Sequence, residues 1–172
     1  MRAIWTRLAL GIATLALALA SGAANAVCDV MTGGGFIIVD GAQANFGVAG
    51  GCKDGSPTFG HLEYIDHGAD LKVHWISITG YNEEFTTTDS RGRRAGSRFI
   101  CGTARTNLFG DVNFIVRARD AGEPGDMDEF DITLLATPYS TLSSGFHQLS
   151  GGNIQLHGPT AGDFDPTCTI GA

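Results

Sequence analysis

From Thr32 onward the chain alternates apolar and polar positions in short runs, each closed by glycine, aspartate or proline. Phe36-Ile37-Ile38-Val39 ends at the turn signal Asp40-Gly41. In the next run Ala44, Phe46 and Val48 share a face. Leu62, Tyr64 and Asp66 then oppose His61, Glu63, Ile65 and His67, as the two-residue period of a strand requires. Similar runs cover Leu71 to Tyr81, Ser97 to Thr106, Val112 to Ala118 and Phe130 to Leu134, with Tyr139 to Leu149 and Gly152 to Leu156 closing the series. The polar stretch 82–96 reads as a long hairpin loop. No later segment repeats apolar residues at helical spacing for three turns. About nine short strands at near-regular spacing predict an all-β domain. Because short turns join successive strands, the expected form is an antiparallel up-and-down barrel, closed or nearly closed. A β-sandwich is the alternative.

The N-terminus follows a different pattern. Arg2 and Arg7 precede an uncharged apolar run from Leu8 to Ala20, and Ala24-Asn25-Ala26 follows. A basic start, a short apolar core and an A-x-A site predict a cleavable signal peptide over 1–26, with export to the cell surface or medium. The run is too short for a spanning helix, which needs roughly 20 residues. Cleavage leaves one domain, 27–172. Cys28 raises a lipoprotein reading, but Val27 is larger than the small residue such processing wants before the cysteine. All four cysteines, Cys28, Cys52, Cys101 and Cys168, lie after the cleavage site, and an even number in an exported chain predicts two disulfides. The expected pairs are Cys28–Cys168, tying the ends, and Cys52–Cys101.

Charge narrows the partners. The full chain carries 11 basic and 18 acidic residues. Removing Arg2 and Arg7 leaves 9 against 18, a net of −9 with histidine neutral. Such a surface repels nucleic acid and, on average, anionic lipid. Arg91, Arg93, Arg94 and Arg98 form the one basic cluster, a contact point for an acidic glycan or protein, or else a solvated loop. The chain is expected to be a monomer.

Candidate chemistry is sparse. Asp120, Glu123, Asp126 and Asp128 offer hard oxygen ligands of the class calcium prefers, around Gly122, Pro124 and Gly125. The same residues are ordinary turn formers. Calcium is the one cofactor the sequence suggests. His61 and His67 stand about 20 Å apart on a regular strand and cannot share a metal. No G-x-S-x-G elbow is present, and Glu63, Asp66, Glu83 and Glu84 are the kind of carboxylates any acidic β protein supplies. Calling the chain an enzyme would rest on composition alone. Tyr64 and Trp75 read as core, whereas Tyr81, at a strand end, is the candidate aromatic contact for a sugar.

The punctuation of the chain carries a resemblance. Thr32-Gly33-Gly34-Gly35 is followed by Phe46-Gly47, by Gly60-His61-Leu62-Glu63-Tyr64-Ile65-Asp66-His67, and by Gly102-Thr103-Ala104. Asp120-Ala121-Gly122-Glu123-Pro124-Gly125 through Phe130 comes next, and Gly151-Gly152-Asn153-Ile154-Gln155-Leu156-His157 is last. In that order these motifs resemble the post-COAP-type domain of secreted bacterial proteins, across essentially the whole chain after the signal. The resemblance implies a compact extracellular β module with no defining catalytic activity. It therefore predicts a secreted or surface interaction module, with a small-ligand barrel and an extracellular hydrolase as lesser readings. The 82–96 loop and the cysteine-bearing tail look like additions to the family pattern, where this chain's own specificity would lie.

Overall fold

The computed structural model describes residues 28–53 and 55–170. Residues 1–26, where the sequence predicts a signal peptide, lie outside the described residues. The fold is all-β: β1 (Val30–Val39), β2 (Ala42–Lys53), β3 (Ser56–Asp66), β4 (Leu71–Thr88), β5 (Arg94–Thr106), β6 (Gly110–Asp120), β7 (Glu129–Leu134) and β8 (Gly151–Leu156). They form one antiparallel sheet in the order β7-β6-β5-β4-β3-β2-β1-β8. The sheet is a strongly curled, open half-barrel.

Two expectations are corrected. Among the described residues there are eight strands rather than about nine, because Tyr139 to Leu149 is not one. Gly145, at φ +101°, and a short 3₁₀ turn at Thr141–Ser144 interrupt it. That segment instead runs along the free edge of β7. Leu134 N–H donates to Tyr139 O at 3.0 Å, Ile132 N–H to Thr141 Oγ1 at 2.9 Å and Phe130 N–H to His147 O at 3.0 Å. The barrel is also not closed by strand pairing, since β7 and β8 end the sheet. The 82–96 stretch is mostly ladder, from Asn82↔Phe99 to Thr88↔Arg94, leaving only 89–93 as the turn. The β-branched run Thr86-Thr87-Thr88 favours the extended backbone there.

Alternation places Phe46, Tyr64, Ile100, Val116 and Phe130 inside the curl, all buried. Phe46 stacks on Phe130 across the interior with centroids 3.9 Å apart, so strands β2 and β7 meet through their rings.

The disulfides are Cys28–Cys52 and Cys101–Cys168, not the expected pairs. The register Val30↔Gly51 sets Cys28 beside Cys52, with Cα atoms 5.8 Å apart. Cys101 faces outward on β5 with Phe99, in a small cluster with Ile115 and Cys168. Cys52 lies in the main core, so it cannot meet Cys101 within the ~7 Å a disulfide spans. With its sulfur bonded to Cys52, Cys28 has no thiol to acylate. No described helix is long and apolar enough to cross a membrane.

The tail explains the second bridge. Phe164 packs inside, stacked on Tyr81 at 5.7 Å and under the Arg98 guanidinium at 5.4 Å. Asp165 N–H then donates to Tyr81 O at 2.8 Å, and Cys168 is already outside. The β3–β4 ladder runs only from Glu63↔His74 to Asp66↔Leu71, so the edge of β4 is uncovered further along. The tail crosses that edge at Gly80. A Cβ there would lie 2.8 Å from Asp165 Oδ2 and 3.0 Å from Cys168 Cβ.

Candidate functional site

The seam between β7 and β8 shows what the acidic segment does. Asp128 Oδ2 accepts Ile154 N–H at 2.7 Å, and Asp120 Oδ2 accepts Leu156 N–H at 2.8 Å. Their other oxygens accept Ala121 N–H and Gly122 N–H, both within the loop. Two carboxylates thus occupy the edge of β8 where a neighbouring strand would sit. Glu123 holds Asn153 at 3.3 Å, and Asp126 is exposed. Among the described residues no group of three or more His, Cys, Asp or Glu is arranged to hold a metal ion.

Asp128 is fully buried, and its desolvation pushes its carboxyl up to about 6. The Ala121 and Ile154 amides pull the other way, and the charges of Asp120 and Glu123 add to the rise. A carboxyl whose folded value exceeds its unfolded one contributes most stability when protonated. That contribution is complete below its unfolded value of 3.8 and is lost as pH rises through about 6. A carbon-detected NMR titration should therefore show a midpoint near 6 for Asp128. A midpoint near 3.8 would contradict this reading of the seam.

The basic cluster disperses. Arg98 is fully buried and clasps Asp29 through Nε at 3.0 Å and Nη2 at 2.6 Å. Its remaining donors reach Phe85 O, Ser97 O and Thr86 Oγ1. Arg94 joins the same Asp29 at 2.7 Å, and Tyr81 donates its hydroxyl at 2.8 Å. Burial raises the Asp29 carboxyl, but the hydrogen bonds and charge of Arg98, with Tyr81 and Arg94, hold it below the ordinary carboxylate range. Arg93 pairs with Asp89 at 2.7 Å, and Arg91 alone stays exposed in the turn without an acidic partner. Tyr81 is completely buried, which corrects its reading as a surface contact: its strand continues to Thr88, so it is not at a strand end.

A concavity lies elsewhere, on the outer face of β5 and β6. One hollow of ≈540 Å³ is lined by Thr103, Phe109, Asp111, Asn113, Thr137 and Pro138, among others. A second, of ≈350 Å³, is lined by Thr79, Gly102, Asp165, Thr167 and the Cys101–Cys168 bridge. Asn113 and Leu135 line both, so the two are one trough. Its floor is low because outward positions carry small side chains. Its far wall is the turn after β7, tied down by Leu135 N–H donating to Asn113 O at 2.8 Å. Its near wall is the disulfide-held tail, stiffened by Thr167 N–H and hydroxyl donating to Asp165 Oδ1 at 2.9 and 2.7 Å.

The trough mixes polar and apolar side chains. The Asn113 side chain has no hydrogen-bond partner among the described residues and is exposed. A hydrogen bond from Arg105 and its charge keep the Asp111 carboxyl low, hence ionised, at the rim. Phe109 adds an exposed ring. Hydroxyls, an amide and two carboxylates share the lining with Val112, Leu135, Pro138 and the rings of Phe109 and Phe114.

One further cluster was not legible in the sequence. The buried Asp131 carboxylate accepts the Thr141 hydroxyl at 3.0 Å and lies 2.8 Å from His147 Nδ1, which pins the return segment over β7. Arg117 and Arg119 meet at Glu129 beside it. These partners come from separate runs with no motif spacing. No family model, curated protein or solved structure matches the chain.

Proposed function

We propose that this chain is an exported, surface or secreted binding module of the post-COAP type, and that it takes a neutral glycan in the trough under its tail. The observation that carries the reading is the trough itself. Two adjoining hollows, of ≈540 and ≈350 Å³, lie outside the sheet, between the disulfide-held tail and the turn after β7. The tail is the segment that stands apart from the family's motifs, and it forms one wall of the site. The two disulfides suit an oxidising compartment. The reading is binding without turnover.

A screen of neutral oligosaccharides with the chain from residue 27 onward tests it. Asn113→Ala and Phe109→Ala should each weaken a hit by about tenfold, the scale of one lost hydrogen bond or ring contact. Tyr81→Phe should leave it unchanged, because that ring faces the interior. Retention of full affinity by both trough variants would refute the site.

A further inference from the structure

Beyond Asn113 the outer face of β6 changes character. Phe114, Val116 and Ala118 enter the core, so Ile115, Arg117 and Arg119 follow Asn113 outward. Arg117 Nε donates to Glu84 Oε2 at 2.7 Å and Nη1 to Glu129 Oε2 at 2.6 Å. Arg119 Nη1 donates to Glu129 Oε1 at 2.5 Å. Two guanidiniums and two carboxylates therefore balance one another. Each guanidinium also lies over a ring. Arg117 Cζ stands 4.0 Å from the centroid of Phe146, on the return segment, and Arg119 Cζ 5.8 Å from that of Phe85, on β4.

Phe146 is 60% exposed, the most of any large apolar side chain among the described residues. It is nevertheless fixed from below. The Arg117 side chain is only 4% exposed and is held by both carboxylates. On the next residue, His147 Nδ1 lies 2.8 Å from Asp131 Oδ1. With the guanidinium on one face of the Phe146 ring, the area left to solvent is the opposite face and the edge. Glu84 and Arg119, both partly exposed, stand at the foot of the ring. Glu84 Oε1 and Arg119 Nη2 make no hydrogen bond among the described residues.

These features select a ligand class. A wholly apolar partner would strip water from Glu84 and Arg119 and return no hydrogen bond. An anion would meet Glu84 and Glu129, and a cation would meet the two guanidiniums. A neutral sugar fits. Its C–H face suits the negative face of an aromatic ring, and its hydroxyls can donate to a carboxylate and accept from a guanidinium. We infer that Phe146 stacks a pyranose ring and that Glu84 and Arg119 bind hydroxyls of the adjoining unit, so that this platform and the trough together read an oligosaccharide chain. Only the chain length rests on the proposed trough. Arg117 lies four residues from Asn113, about 13 Å along β6, a gap that one sugar ring does not span.

The test is isothermal titration of the chain from residue 27 onward with neutral cello-, laminari-, xylo- and malto-oligosaccharides, each as disaccharide and hexasaccharide. In the series that binds, the hexasaccharide should bind at least about tenfold more tightly than the disaccharide, and Phe146→Ala should remove that gain, the scale of one lost ring contact. Affinity should hold between about 0.05 and about 0.5 M salt, because no net charge is matched. In NMR spectra of the bound chain, sugar C–H protons should move upfield, the sign of stacking on a ring face, and Phe146→Leu should abolish that shift. An unchanged melting temperature would show that the variants fold. If Phe146→Ala keeps full hexasaccharide affinity while Asn113→Ala weakens it, the platform is overturned and the trough stands. The reverse pattern would support the platform and overturn the trough. Absence of binding by every series would overturn both, and tighter, salt-sensitive binding of a sulfated hexasaccharide would overturn the neutral class.

Discussion

Replacing Arg98 with methionine is expected to destabilise the fold by about 3–5 kcal/mol, the cost of leaving a buried partner charge without its counter-ion. Arg98 and Asp29 are both fully buried, and the pair lies at the junction of the chain's start with the β4–β5 hairpin. Arg94 and Tyr81 would still contact Asp29, so the loss should fall toward the lower end of that range. Asp29→Asn combined with Arg98→Met should recover part of it, because no buried carboxylate charge then remains. Urea unfolding of the single and double variants at neutral pH reads the difference. A single variant within about 1 kcal/mol of wild type, the scale of an exposed pair, would show that the pair contributes nothing beyond solvent-exposed charge.

The second large effect is an asymmetry between the disulfides. Cys101–Cys168 closes a separation of 67 residues and Cys28–Cys52 one of 24. In the chain-entropy model these bridges stabilise by ~4.4 and ~3.5 kcal/mol respectively. Removing the first should cost more for another reason as well. It frees the tail, and with it Phe164, which covers Tyr81 and Arg98. Thermal unfolding of Cys101→Ala/Cys168→Ala against Cys28→Ala/Cys52→Ala should show the larger fall in the former. The tail-free variant should also lose trough binding, since one wall is gone. Equal melting temperatures would indicate that the tail adds no packing.

Alternation made the all-β class legible: it set Ala44, Phe46 and Val48 on one face and read Tyr64 as core, and all four are buried. It also held information about Arg98, which shares its strand parity with Ile100 and Ala104 and so points inward. A charge at an inward position reads as a loop residue until its partner is known. That partner, Asp29, is 69 residues away in a different run. The acidic segment was legible as a cluster, but not as a clasp. Its ligands are backbone amides of β8, and backbone groups leave no trace in residue identity. Tyr81 was misplaced because the strand boundary was set too early, at the polar Asn82, whereas Thr86, Thr87 and Thr88 continue the ladder. The trough was not legible at all. It arises where a turn, a tail and two strands converge, and only the tail's cysteine hinted at it.

The pairing of cysteines tests the account most directly, because the trough exists only if the tail is fixed outside β5. Digestion of the unreduced protein and mass analysis of the linked peptides should recover Cys28 joined to Cys52 and Cys101 joined to Cys168. Recovery of Cys28 joined to Cys168 would place the tail at the chain's start and remove the wall on which the proposed site depends.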